Sequence, residues 1–420
     1  MREVRAMKVQ EEYLKDLRER AEKALTKKAP LGPDIDLSQF YLCSPREQVE
    51  DLREIEERLK EAALYAGVEL EGEKAATYLQ VDRSAVYEKV QKAFEGKLEI
   101  MSSREALARY PELIEYWWGL VPVDADKYTA FAELCPTEGY FIRVFPNVKI
   151  DVPLQACLLV SETARVQSVH NIVILEEGAE VNLITGCASV RGTESGVHIG
   201  VSEFYIGDNA RLTFTMVHNW GESFHVRPRT VARLGKGAFF SSTYVLLKPL
   251  ASIQAFPQVI LEGEGAQATF QNIVFAKGDS YIDLGSMLLL KNRGCRGSSI
   301  SRVCAMDKAQ VFARGKLVAF HDDVQAHLEC KGILFSNTAQ ITSIPELEVY
   351  GAPKARLSHE AAVGPFEEEA VNYLRARGLK REEALSLLTQ GFLNLDLPGL
   401  PQALRRYIEE IIRVTSRDVL

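Results

Sequence analysis

The chain is poor in the residues and motifs that most readily announce an activity. Its 420 residues hold seven cysteines, seven histidines, six methionines and three tryptophans. Cysteines this few and this scattered do not make a disulfide framework. The opening MREVRAMKVQEEYLKDLRER has no apolar stretch of the secretory kind, so reduced thiols in the cytoplasm are expected. No run approaches the roughly 18 apolar residues of a membrane-spanning helix. There is no basic block either. Fifty Lys+Arg stand against 58 Asp+Glu, a formal charge of −8, which argues against a non-specific nucleic-acid binder. GKGA and GEGA lack the Gly-Lys-Ser/Thr ending of a phosphate-binding loop, and no GxSxG, HExxH or CxxC occurs. Nucleotide hydrolysis by this chain and a finger-like zinc site are therefore not expected.

What is there divides by texture. EEYLKDLRERAEKAL spaces Leu14, Leu17 and Ala21 by three and four, which predicts a first helix ending near Lys27. APLGPD follows as a linker. Ser44-Pro45-Arg46-Glu47 reads as a capping box with Pro at the first helical position, so a second helix is expected from there to Gly67. Shorter helices are expected around 84–94 and 103–118, with Tyr116, Trp117 and Trp118 filling a small core.

From about residue 140 helical spacing gives way to short runs of Val, Ile, Leu, Phe and Thr between Gly/Asn/Asp turns. A weak repeat, a turn ending in a small residue and then alternation, recurs at Ala179, Ala210, Ala238, Ala266, Ala309, Ala326, Ala339 and Ala355. The separations are 31, 28, 28, 43, 17, 13 and 16. The short ones cluster near 15 and the long ones lie near two or three times that. This is the mark of a solenoid whose rungs stack one core. A sandwich would show more two-residue Asn-Gly turns, so a mainly β fold built on a parallel β-helix is favoured. After Glu360 helices return: one opening at Gly364-Pro365 and closing at Gly378, then REEALSLLTQGF, then PQALRRYIEEIIRV. They are expected to cap the open solenoid edge, and a partner surface is the competing role. The chain thus reads as a helical domain at 1–139, a β-helix core at 140–360 and a helical domain at 361–420.

The polar candidates gather late in the core. His327-Leu328-Glu329-Cys330 lies on one expected strand, and Ser358-His359-Glu360 ends another about two rungs on. Stacked strands lie about 4.8 Å apart, so thiolate, imidazole and carboxylate meet in a set able to hold iron or zinc. His327 and Cys330 are an odd number of positions apart and should face opposite ways. Cys330 shares its side with Leu328, Gly332 and Leu334, which suggests the interior. On composition alone Cys330 and Cys187 are core cysteines, since free Cys is among the most buried types. Cys295 and Cys304 are candidates to neighbour one another on stacked rungs. Asp322-Asp323 is a carboxylate pair better suited to a turn than to calcium, because adjacent strand residues diverge. A carbohydrate-active β-helix would need an exposed carboxylate cleft, and no such array occurs.

SNTAQITSIPELEVYGAPKARLSHEAAVGPFEEEAVNYLRARGLKREEALSLLTQGF resembles the C-terminal hallmark of the SufB/SufD family of iron–sulfur cluster assembly proteins. ALARYPELIEYWWGLVPVDADKYTAFAEL, YFIRVFPNVKIDVPLQA and NIVILEEGAEVNLITGC resemble its approach to the core and the core itself, so about 100–395 is covered. The resemblance implies a right-handed parallel β-helix flanked by helical domains. It implies a scaffold rather than an enzyme, with ATP hydrolysis on a separate SufC-type subunit docked on the C-terminal helices and sulfur supplied by a cysteine desulfurase system. It implies a homodimer, or a heterodimer with a related chain, formed through the β-helix. By motif position Cys330 matches the cluster-building cysteine, Glu360 the essential carboxylate and Cys187 the sulfur acceptor, while His359 and His327 are further ligand candidates. A transient 4Fe-4S or 2Fe-2S cluster is the implied cargo; a flavin is left open, with no residue assigned to it. His359-Glu360 and PLQA at 153–156 are SufB-like, and a SufD-like structural subunit that assists iron uptake is the alternative. Against the SufB pattern, the chain is short, has no cysteine-rich N-terminal motif and reads HLEC where an HTQC-like run is expected. One protein serving both roles as a homodimer accommodates these departures.

Overall fold

The corners of the β region explain its repeat. Gly178, Asn209, Gly237, Gly265 and Gly294 all turn with φ between 56° and 73°, left-handed backbone that Gly and Asn adopt most cheaply. Each is followed by a small residue sealed inside the corner: Ala179, Ala210, Ala238, Ala266 and then Cys295. These positions stack, since Arg211, Phe239, Gln267 and Arg296 donate their N–H to the carbonyls of Ala179, Ala210, Ala238 and Ala266. Successive corners are 28 to 31 residues apart. A full rung is therefore about twice the 15-residue spacing of the sequence repeat, which marks one strand and one turn. Cys295 fills an alanine position, and that breaks the alanine pattern between Ala266 and Ala309.

The computed structural model describes residues 2–393 except 71, 72 and 247, together with Arg406. Two facing sheets wind as a parallel β-solenoid of about eight turns. One sheet stacks Leu154–Val160, Glu180–Ser189, Arg211–Asn219, Phe239–Leu246, Gln267–Ala276, Arg296–Ala305, Gln325–Leu334 and Arg356–Gly364, all parallel. The other runs from Arg165–Leu175 through Ser195–Ile206 to Tyr281–Leu290, Gln310–Ala319 and Gln340–Val349. Two rungs of this second sheet are interrupted, as Ser223–Val226 and Arg229–Leu234, then as Ser252–Ala255 and Gln258–Leu261. Pro228 and Pro257 sit at the breaks, where a missing N–H suits an interrupted ladder. Alternate side chains from both sheets fill one continuous apolar core.

The first helix, Arg2–Ala24, forms where the spacing predicts it and buries Leu17 and Ala21. Trp117 and Trp118 join it in a core under the solenoid wall. Three other expectations change. Residues 44–50 are not helical, and the helix is only Glu57–Tyr65. The Ser44 hydroxyl and N–H donate to the Glu162 carboxylate instead of capping, the Arg46 N–H donates to the Ser84 hydroxyl, and the Arg46 guanidinium reaches Asp82 and Ser161. These tertiary partners pull the segment out straight. The 84–94 stretch is the strand Ser84–Val90, antiparallel to Ala76–Val81, followed by a 3-10 turn. The 103–118 stretch is a helix only over Ser103–Arg109, because Pro111 opens a 3-10 turn in its place. Residues 1–139 therefore also carry strands: Ala76–Val81 pairs with Leu154–Val160 in one sheet, and Leu98–Ser102 pairs with Tyr140–Val144 in the other.

At the far end the helices Glu368–Arg375 and Arg381–Leu393 pack on each other. Among the described residues they pack on the outer face of the sheet rather than over the solenoid edge. Leu393 is buried with Cys304 and Met306 on the outer face of the sheet. Arg356–Gly364 pairs only with Gln325–Leu334 among the described residues, which leave its other edge open. The third expected helix, at 401–414, lies outside the described residues apart from Arg406.

Candidate functional site

Register decides which side chains meet at the open end. In Gln325–Leu334, Ala326 and Leu328 are buried, and Cys330 packs against the core from the same side. His327, Glu329 and Lys331 point the other way, as the odd spacing requires. Arg356–Gly364 is the next strand, one rung on rather than two. It sets His359 beside Leu328, Glu360 beside Glu329 and Ala361 beside Cys330. The four candidate ligands are thereby divided. Cys330 and His359 lie on the interior side, and His327 and Glu360 on the outer side.

On the interior side the Cys330 thiol meets the Ser343 hydroxyl of the opposite sheet, and burial pushes its pKa up. Ser301 precedes it in register. A cavity of about 10 Å³ touches Ser301, Cys330, Ser343 and His359 and reaches Glu329 and Glu360 of the outer side as well. On the outer side the ligand atoms of His327, Glu329 and Glu360 all lie within 4.8 Å of one another. The Ser358 hydroxyl holds His327 Nδ1 at 2.9 Å. Lys331 Nζ lies 3.0 Å from Glu360 and 3.3 Å from Glu329, and Arg302 pairs with Glu329. Borderline divalent metals such as iron and zinc favour this kind of mixed imidazole and carboxylate set. Glu329 is not among the candidates that the sequence singles out. A signal for it exists, since HLEC puts Glu329 two positions from His327 and hence on its face.

Cys187 belongs to the interior of an earlier rung. It is fully buried, with its thiol 3.7 Å from Met216 Sδ, and burial holds its pKa well above the ordinary thiol value. Both cysteines face the same interior. Thr185, Met216, Tyr244, Asn272, Ser301 and Cys330 form one column in register, and Cys187 sits beside its start, next to His218. Five strand spacings separate the rungs of the two thiols, about 24 Å at the usual 4.8 Å. The column is polar and connected in part: His218 Nδ1 lies 2.9 Å from the Tyr244 hydroxyl, and Asn272 donates to Ser301 at 3.2 Å. A cavity of about 60 Å³ touches Met216, His218, Tyr244 and Asn272. These residues recur every 28 to 31 positions, the spacing of the corner alanines. A pattern read at the full rung length reveals them, whereas the 15-residue repeat hides them.

The other cysteines take structural places. Cys295 seals a corner and Cys304 faces outward under Leu393, at opposite ends of one strand rather than on stacked rungs. Asp322 and Asp323 lie in a turn, where Asp322 accepts the Lys354 N–H and Asp323 pairs with Arg296.

Residues 158–392 match the family model described as SUF system FeS cluster assembly, SufBD core domain. A protein of Methanothermobacter thermautotrophicus named as an iron–sulfur cluster assembly SufBD family protein is 42% identical over 413 residues, covering 97% of this chain and 100% of the relative. One of the same name from Archaeoglobus fulgidus is 40% identical over 365 residues, covering 87% and 96%. A third, from Pyrococcus horikoshii, is 32% identical over 399 residues, covering 92% and 89%. With a stacked β core matched over more than half the chain and relatives this similar end to end, the chain belongs to the SufB/SufD family of iron–sulfur cluster assembly proteins.

Proposed function

We propose that this chain is a SufB-like scaffold: it takes up sulfur at Cys187 and builds a transient cluster at the open end, around Cys330. The observation that carries the reading is the interior column that runs from beside Cys187 to Cys330, the first thiol enclosed and the second beside His359 at the last rungs. A cluster that must leave is better served by few thiolates and some oxygen or nitrogen ligands than by the four thiolates of a stable site. One Cys, one or two carboxylates and one or two imidazoles per chain meet that description. A two-fold pairing of last rungs doubles the set, and exposed Leu347, Val349, Tyr350 and Val363 supply apolar surface for it. Burial raises the thiol pKa of Cys330 and the thiolate is the ligand, so loading requires a conformational step. A SufC-type ATPase on the C-terminal helices, in the cytoplasm, is the proposed source of that step.

The test is anaerobic reconstitution with iron, sulfide and a reductant, following visible absorption and iron content. Wild type is expected to gain a cluster chromophore that Cys330→Ala and Glu360→Ala lose. Equal behaviour of all three proteins would overturn the scaffold assignment and favour the SufD-like structural role.

A further inference from the structure

The outer set of His327, Glu329 and Glu360 already contains a cation. The Lys331 ammonium lies between the two carboxylates, 3.0 Å from Glu360 Oε1 and 3.3 Å from Glu329 Oε2, on the strand that carries His327 and Glu329. A divalent ion bound by those carboxylates would take the same place. Two features separate Lys331 from the other cation nearby. Arg302 pairs with the second oxygen of Glu329, is mostly buried, and lies under the Phe392 ring, 5.9 Å from its centroid. It is held on three sides by the sheet, the carboxylate and the last described helix. Lys331 is one-third exposed, and its ammonium is a point charge on a flexible stem that can leave for water.

We propose that Lys331 is a built-in competitor that keeps the outer site closed to divalent metal until its side chain swings away, while Arg302 stays and keeps Glu329 in place. The proposal deepens the scaffold reading and rests on it for its purpose, which is to admit iron only when the end of the solenoid is engaged. With Lys331 seated, the two carboxylates are balanced by two cations. With Lys331 displaced, one negative charge is left for the incoming ion, alongside the His327 imidazole oriented by Ser358.

The experiment uses the full-length chain with Cys330→Ser, so that cluster building at the thiol does not contribute, and titrates Co2+ anaerobically while following its visible d–d absorption. Adding Lys331→Met is expected to tighten binding of one Co2+ per chain by about fivefold or more, the range that loss of two partly exposed ion pairs allows. Lys331→Arg should not tighten it, and Glu360→Gln in the Lys331→Met protein should abolish the gain. Equal affinity with and without Lys331, binding by neither protein, or a gain that survives Glu360→Gln would each overturn the proposal. The chromophore test at Cys330 is separate: its failure removes the scaffold reading, whereas the Co2+ result decides the role of Lys331.

Discussion

The two ends of the solenoid are built from the same rung and differ in what covers them. At the first rungs, Ala76–Val81 and Leu98–Ser102 extend the sheets, and the N-terminal helices close over them. Glu203 shows how complete the closure is: it is fully buried, accepts N–H groups from Trp118, Leu120 and Val121, and lies 2.8 Å from His170 Nε2. At the last rungs Glu360 lies on a strand paired on one side only, and its side chain is half exposed beside a flexible lysine. A carboxylate is structural where its lone pairs are used by the fold, and available for chemistry where they are not.

The comparison breaks most sharply under substitution. Glu203→Ala strands three backbone donors and is expected to lose about 3–5 kcal/mol of stability, read by denaturant unfolding. Glu360→Ala should move Tm by less than about 1 °C while removing the cluster chromophore. If Glu360→Ala instead unfolds the protein, the last rung is not an open end.

Thiol labelling sharpens the same contrast. Both cysteines have raised pKa values because they are buried, but Cys187 is enclosed and Cys330 lies beside the edge. Alkylation followed by mass spectrometry should modify Cys330 at least about tenfold faster than Cys187 in the folded chain, since labelling of an enclosed thiol waits on larger openings. Equal rates would mean that the interior column is open along its length.

Two smaller effects concern pH. Burial lowers the His198 pKa to about 3, so the folded state binds fewer protons than the unfolded one. The stability this group contributes is present above about 6.5 and is lost as pH falls from there toward 3. His198→Gln should therefore flatten the decline of Tm between about pH 6.5 and 4. Burial, aided by Glu105, raises Glu88 to about 7. Here the folded state holds the extra proton, and stability falls as pH rises from about 4.5 to 7. Glu88→Gln should accordingly raise Tm by about 2 °C at about pH 8 and leave it unchanged near pH 4.

Local periodicity favours the mainly β solenoid over a sandwich and predicts the first helix, the two described C-terminal helices and the opposite facing of His327 and Cys330. Each follows from alternation, from three-and-four spacing, or from a corner that needs Gly or Asn beside a small residue. The remainder depends on contacts between distant parts of the chain. Ser44 carries the right residues for a helix start, but Glu162 lies across the chain and takes its hydroxyl, so the helix begins later. The rung length is set by two strands rather than one, and until the closed turn gives that length the common column of Met216, Tyr244, Asn272, Ser301 and Cys330 is hidden behind the 15-residue repeat. Glu329 joins His327 and Glu360, and Lys331 sits between the carboxylates, because parallel register places residues about 30 positions apart side by side. A pairing over that distance leaves no trace in local spacing.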